Sequence, residues 1–279
     1  MEGFSGRIAL VAGLAILVGG CGTWFGDKDA PPLPGERLSI LVHARTIEPD
    51  PDLAGAEILL PPPSVNPEWP QAGGYANNAM HHVEVADTPR RAWGVSVGAG
   101  VTAEQRIVAR PIIADGLVFA MDRNTRVTAV NADSGSRVWS VDLTPKDERD
   151  GHIGGGLAFE AGRVFATTGF AQVVALEAKT GTEIWRRALD GPMRVAPTAR
   201  GGRVFVITLE NKLYALNAAT GETLWSFAGT AEIATLLGGA SPAVDEGGVV
   251  APFSSGDLVA LRVESGRVLW TDSLVSARG

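Results

Sequence analysis

The sequence predicts an all-β chain: a β-propeller of four-stranded blades, with about four complete blades present. Two observations carry this. A motif ending in tryptophan recurs along the second half at near-even spacing, and turn signals separate the short apolar runs between its copies. Four copies align without gaps: AVNADSGSRVW ending at Trp139, ALEAKTGTEIW at Trp185, ALNAATGETLW at Trp225 and ALRVESGRVLW at Trp270. A fifth, partial copy ends at Trp93 in RRAWGVSV. The tryptophan spacings are 46, 46, 40 and 45 residues, the length of a propeller blade.

Each repeat reads as four strands. In the third, residues 195–199 form a short strand and Arg200-Gly201-Gly202 a turn. Residues 203–208 run out, Glu210-Asn211 turns the chain, and residues 213–217 return. Thr220-Gly221 makes the next turn, and residues 223–227 are the last strand. IIADGLVFAMD, AFEAGRVFATT and AVDEGGVVAPF hold the same first turn and second strand in the other repeats. A lone four-stranded blade leaves both faces wet, so blades must stack to bury them. The motif residues Gly135, Trp139, Gly181, Trp185, Gly221, Trp225, Gly266 and Trp270 are therefore assigned a packing role, each ring lying over the neighbouring blade. Stacking on a ligand is the alternative for these rings. Gly154-Gly155-Gly156 lacks the lysine of a phosphate loop and reads as an inner strand start where blades crowd together.

The N-terminus divides by composition. Arg7, the apolar run 8–18 and Gly19-Gly20 make a secretory signal over 1–20. The run is shorter than the roughly 20 residues a membrane-spanning helix needs. Val18-Gly19-Gly20-Cys21 resembles a bacterial lipobox, with Val where Leu is commoner, so Cys21 is the expected lipidation site. It is also the only cysteine. Two or more acyl chains anchor a protein stably, each buried CH₂ contributing about 0.8 kcal/mol. Gly22 rather than Asp follows the cysteine, which by resemblance to sorting rules points to the periplasmic face of the outer membrane. Residues 21–67 are proline-rich and read as a tether, with one short strand possible at 38–42. Within it Pro61-Pro62-Pro63 reads as a stiff spacer or a polyproline ligand. Residues 68–279 form the propeller.

Composition excludes several classes. Net charge is -7, with no basic stripe to neutralise nucleic acid. One cysteine allows neither an internal disulfide nor a multi-cysteine metal site. The histidines His43, His81, His82 and His152 show no ligand spacing, and the pair His81-His82 reads as two loop residues. Asp147, Glu148 and Asp150 lie in a polar run and read as a solvated loop. No cofactor and no metal is expected.

The motif A-[LV]-x-[AV]-x-[ST]-G-x-x-[LIV]-W resembles the tryptophan docking motif of propellers related to pyrroloquinoline quinone (PQQ) dehydrogenases. Within that superfamily, the signal, Cys21, the tether and the lead-in segment NPEWPQAGGYANNAMHH (66–82) are similar to the BamB family. The resemblance runs from about Trp69 to the last residue. It implies a non-catalytic scaffold lipoprotein of the outer-membrane β-barrel assembly complex, bound to a BamA-type insertase and to the other lipoproteins of that complex. It places partner contacts at Ile233, Leu236 and Leu237, although Leu237 stands where the family has an arginine. Burial at the start of an inner strand is the alternative for Leu236 and Leu237. The family ring has eight blades, so the ring is expected to be incomplete as supplied, the sequence being truncated at its C-terminal end. A smaller ring of four or five blades, or two chains completing one ring, are the alternatives. The rival function is a PQQ-dependent dehydrogenase or a periplasmic sensor or binding propeller. Those dehydrogenases use a vicinal disulfide, a calcium site and an aspartate base; with Cys21 assigned to the lipid, no cysteine remains in the propeller. A peptidoglycan-binding or surface-binding module is a third reading.

Overall fold

The computed structural model describes residue 51 and residues 55–57, 59–103, 105–148, 153–232 and 239–274. Signal peptide, Cys21, the strand at 38–42, most of the tether, and Ile233, Leu236 and Leu237 lie outside the described residues. The chain divides after Leu59, and every strand among the described residues belongs to the unit that begins at Leu60. The stretch 60–67, which the sequence places at the end of the tether, lies in this unit. Ser64 N donates to His82 O at 2.9 Å, and His82 Nδ1 lies 2.7 Å from Pro61 O.

Four antiparallel meanders follow one another. Blade one holds β1 (Ile112–Ala114), β2 (Leu117–Met121), β3 (Arg126–Asn131) and β4 (Arg137–Asp142). Blade two holds β5 (Gly156–Glu160), β6 (Arg163–Thr167), β7 (Gln172–Glu177) and β8 (Glu183–Ala188). Blade three holds β9 (Thr198–Arg200), β10 (Arg203–Ile207), β11 (Lys212–Asn217) and β12 (Thr223–Ala228). Blade four holds β13 (Ala243–Val244), β14 (Gly248–Pro252), β15 (Asp257–Arg262) and β16 (Val268–Ser273). The innermost strands are neighbours in sequence order, β1 beside β5, β5 beside β9 and β9 beside β13. The result is an all-β propeller whose four blades form an open arc.

The strand reading of the third repeat shifts at its first element. β9 starts at Thr198, not at residue 195. Pro197 has no N–H to give the ladder, so pairing begins after it. Thr208 leaves the second strand because its N–H closes the turn on Lys212 O at 3.0 Å.

Period-2 alternation sends successive side chains to opposite faces, and each face meets a different blade. Val164 and Ala166 of β6 pack with Phe119, Val127 and Trp139 of blade one. Phe165, between them, packs with Val204, Val206 and Leu216 of blade three. Phe205 and Leu213 of blade three pack with Val249, Ala251 and Leu261 of blade four. One register row recurs: Phe119, Ala129, Trp139; Phe165, Ala175, Trp185; Phe205, Ala215, Trp225. The central alanine is flat enough for the outer rings to meet across it, with centroids 5.8, 5.9 and 5.9 Å apart. Blade four has Val250 in place of Phe in the row Val250, Ala260, Trp270. Each blade also carries a bulge at this row, leaving Val138, Ile184, Leu224 and Leu269 unpaired and outward, at 49%, 41%, 46% and 48% exposure. That explains an aliphatic residue before each tryptophan that is nonetheless solvent-facing.

The inner strand of every blade is a sheet edge, with N–H groups needing partners. The lead-in segment supplies them. Trp69 exchanges two bonds with Ile113 of β1, at 2.7 and 2.9 Å. Pro70 O accepts from Phe159 N of β5 at 2.8 Å, and Ala76 O accepts from Val244 N of β13 at 2.7 Å. Gln71, only 4% exposed, takes the third blade with its side chain. Its Nε2 donates to Phe159 O and Ala199 O, and its Oε1 accepts from Ala199 N. Ile113, Phe159, Ala199 and Val244 occupy the same register position in their blades. A single strap thus crosses all four inner edges in order. Gln71→Ala leaves the Ala199 N–H and C=O buried without partners, and about 1–3 kcal/mol of stability should go. Thermal unfolding beside wild type measures it, and an unchanged midpoint would refute the strap's role.

Candidate functional site

The repeated tryptophan motif forms a blade-to-blade lock. Each indole donates to a carbonyl in the hairpin turn of the following blade: Trp93 to Ala132 O (2.8 Å), Trp139 to Ala178 O (2.8 Å), Trp185 to Ala218 O (3.0 Å) and Trp225 to Val263 O (2.8 Å). The ring then lies flat on the turn glycine. A Cβ on Gly135, Gly181, Gly221 or Gly266 would stand 2.7–2.8 Å from the ring of Trp93, Trp139, Trp185 or Trp225. All four glycines have φ between +67° and +73°, a region that also favours glycine. Both requirements fall on one residue because the turn that reverses the chain is the turn that receives the ring. Trp93 lies outside any strand, yet it fills this role on blade one. Gly155, in the triple-glycine run, faces the Thr167 hydroxyl and the Val195 carbonyl so closely that no side chain fits there.

Trp270 meets no such turn among the described residues. It is 48% exposed, beside exposed Val268 and Leu269. Every strand residue of β16 is exposed, whereas its counterpart β4 buries Trp139. On the other face of blade four, toward blade three, a cavity of about 640 Å³ opens, lined by Phe227, Thr230, Phe253, Asp257, Val259 and Thr271 among others. Phe227 and Phe253 stack at its floor, with centroids 6.0 Å apart.

The titratable groups are dispersed. Asp147 and Glu148 are exposed, and Asp150 lies outside the described residues. His81 is exposed with φ +52°, and His82 is turned to Pro61. Among the described residues no group of three His, Cys, Asp or Glu side chains converges. The one perturbed cluster joins blades two and three. Lys212 Nζ donates to Asp190 Oδ2 at 2.7 Å and sits 4.8 Å from the Tyr214 ring centre. The Lys212 hydrogen bond holds the Asp190 carboxyl below its usual value, and burial pushes the Tyr214 phenol up. These groups clip an exit loop to a strand and lie away from any cavity described above.

The family model described as outer membrane protein assembly factor BamB matches residues 123–279, more than half of the chain. The chain belongs to this family. Curated BamB proteins match a shorter stretch: that of Escherichia coli K12 is 45% identical over 65 residues, and that of Salmonella typhimurium LT2 is 41% identical over 68. Those stretches are 23% and 24% of this chain, and 16% and 17% of the relatives' length. Among solved structures, BamB from Moraxella catarrhalis aligns with a TM-score of 0.55 at 21% identity, over 66% of this chain and 54% of its own. A europium-containing methanol dehydrogenase aligns at TM-score 0.60 and 17% identity, over 75% of this chain and 49% of its own. At such identities both likenesses are of fold alone. This BamB-family chain therefore shares its blade architecture with assembly factors and with quinoprotein enzymes. The strap is the feature that sequence reasoning missed, although its one buried glutamine was in view.

Proposed function

We propose that this chain is a scaffold lipoprotein of outer-membrane β-barrel protein assembly, working without catalysis and held at the periplasmic face by lipid on Cys21. The observation that carries the reading is the BamB family match over 123–279. The partner is a BamA-type insertase with its companion lipoproteins. The proposed contact residues are Ile233, Leu236 and Leu237, which fall in sequence between β12 and β13. Large aliphatic residues in a connection between blades suit a modest protein interface. The propeller supports such a role by holding its inter-blade connections on a rigid stack.

A pull-down of the tagged full chain from solubilised outer membranes tests this. Recovery of the insertase and its partner lipoproteins is the expected result. The double change Leu236→Glu and Leu237→Glu should cut that recovery at least tenfold, because two charges enter an apolar contact. The melting temperature should stay within about 2 °C of wild type, since surface changes move stability by only about 0.5 kcal/mol. Undiminished recovery would sink the contact. A quinone recovered with the purified protein would overturn the non-catalytic reading.

A further inference from the structure

Two adjoining chambers lie where the strap meets blades three and four. The first, about 360 Å³, is lined by Arg110, Arg194, Asn78, Ser241 and the backbone around Gly73 and Gly239. None of the Arg110, Arg194, Asn78 and Ser241 side chains has a hydrogen bond or ion pair with another described residue. The second, about 210 Å³, is lined by Ile207, Leu209, Pro252, Phe253 and Thr208. Val195, Gly239 and Ala240 line both, so the two share a wall. Among the described residues no carboxylate lines either chamber, in a chain that carries 31 acidic residues against 24 basic ones.

The Thr208 hydroxyl is an independent sign. The residue is 3% exposed and its Oγ1 has no partner among the described residues. Thr168 holds the same turn position in blade two, where its hydroxyl donates to Gln172 O at 2.9 Å and accepts from Gln172 N at 3.2 Å. The Thr208 backbone repeats that turn, donating to Lys212 O, and the residue lines the second chamber, but its hydroxyl stays buried and unpaired among the described residues. Buried hydroxyls are ordinarily paired, so the second chamber departs here from the packing seen in blade two.

We propose that these chambers form one binding site for a carboxylate that bears an apolar group, the chemistry of a peptide's C-terminal residue. The carboxylate takes the guanidinium groups of Arg110 and Arg194, with Asn78 and Ser241 as further donors. The apolar group enters between Phe253, Ile207 and Leu209. A cavity of about 150 Å³ already accepts a benzene ring, so the second chamber has room for one large side chain. The proposal stands whether or not the partner contact proposed at Ile233, Leu236 and Leu237 does.

Isothermal titration of the full chain in detergent with N-acetyl-phenylalanine tests it, against N-acetyl-phenylalaninamide and inorganic phosphate. The acid should bind, and the amide at least tenfold more weakly. Arg194→Gln and Arg110→Gln should each weaken the acid tenfold or more at an unchanged melting temperature. Phosphate should compete with the acid yet bind more weakly than it. Equal binding of acid and amide, no binding of the acid, or full affinity in both arginine variants would overturn the site. Phosphate binding tighter than the acid would also overturn it, since the second chamber would then contribute nothing.

Discussion

Trp139→Ala should lower the stability of the propeller by about 3–5 kcal/mol, while Trp270→Ala should change it by no more than about 0.5. The two residues end copies of one motif and differ only in what they meet. The Trp139 ring is 9% exposed, touches Phe119, lies on Gly181 and donates to Ala178 O. Its removal opens a cavity between blades one and two and leaves a carbonyl short of a donor. The Trp270 ring is 48% exposed, with no turn beneath it among the described residues. Urea unfolding of the two variants beside wild type reads the difference directly as a shift in midpoint. Equal losses would show that the tryptophans act within their own blades and not across the junctions.

Gly181→Ala should cost about 2–4 kcal/mol. About 1 kcal/mol is backbone strain, since φ there is +73°. The rest is a methyl group 2.7 Å from the Trp139 ring and 3.0 Å from Val141, in a junction with no slack. Gly162 separates the two causes. Its φ is +74°, but a Cβ there meets open space, so Gly162→Ala should cost about 1 kcal/mol. In a unit of this size each kcal/mol moves the melting point by about 2–4 °C. Gly181→Ala should therefore melt about 5–15 °C below wild type, and well below Gly162→Ala. Matching melting points would mean that the ring does not rest on the turn.

The blade architecture was legible because blades repeat, and repetition turns a weak local pattern into a strong one. The alternation in RVFAT and RVFVI, the turn glycines and the closing tryptophans each appear four times. Strand starts were less legible: β9 begins three residues later than its apolar run, since Pro197 cannot join the ladder. The role of Gln71 was not legible at all. Its partner Ala199 is 128 residues away, and nothing near Gln71 in sequence marks that edge. The same holds for Arg110 and Arg194, which are 84 positions apart and share a chamber only once blades stack. The proposed contact at Ile233, Leu236 and Leu237 rests on resemblance and on the experiment above.

Local chemistry accounts for what was read from residue order alone: alternating apolar strands, glycine turns, blade length and family, all of which depend on neighbours within one repeat. Tertiary structure decided the rest. It chose the turn on which each ring rests, passed one strap over four inner edges, and left Trp270 uncovered while Trp139 is buried. Those outcomes depend on which blade follows which in space, and a tryptophan's own sequence is the same whether or not a turn lies across from it.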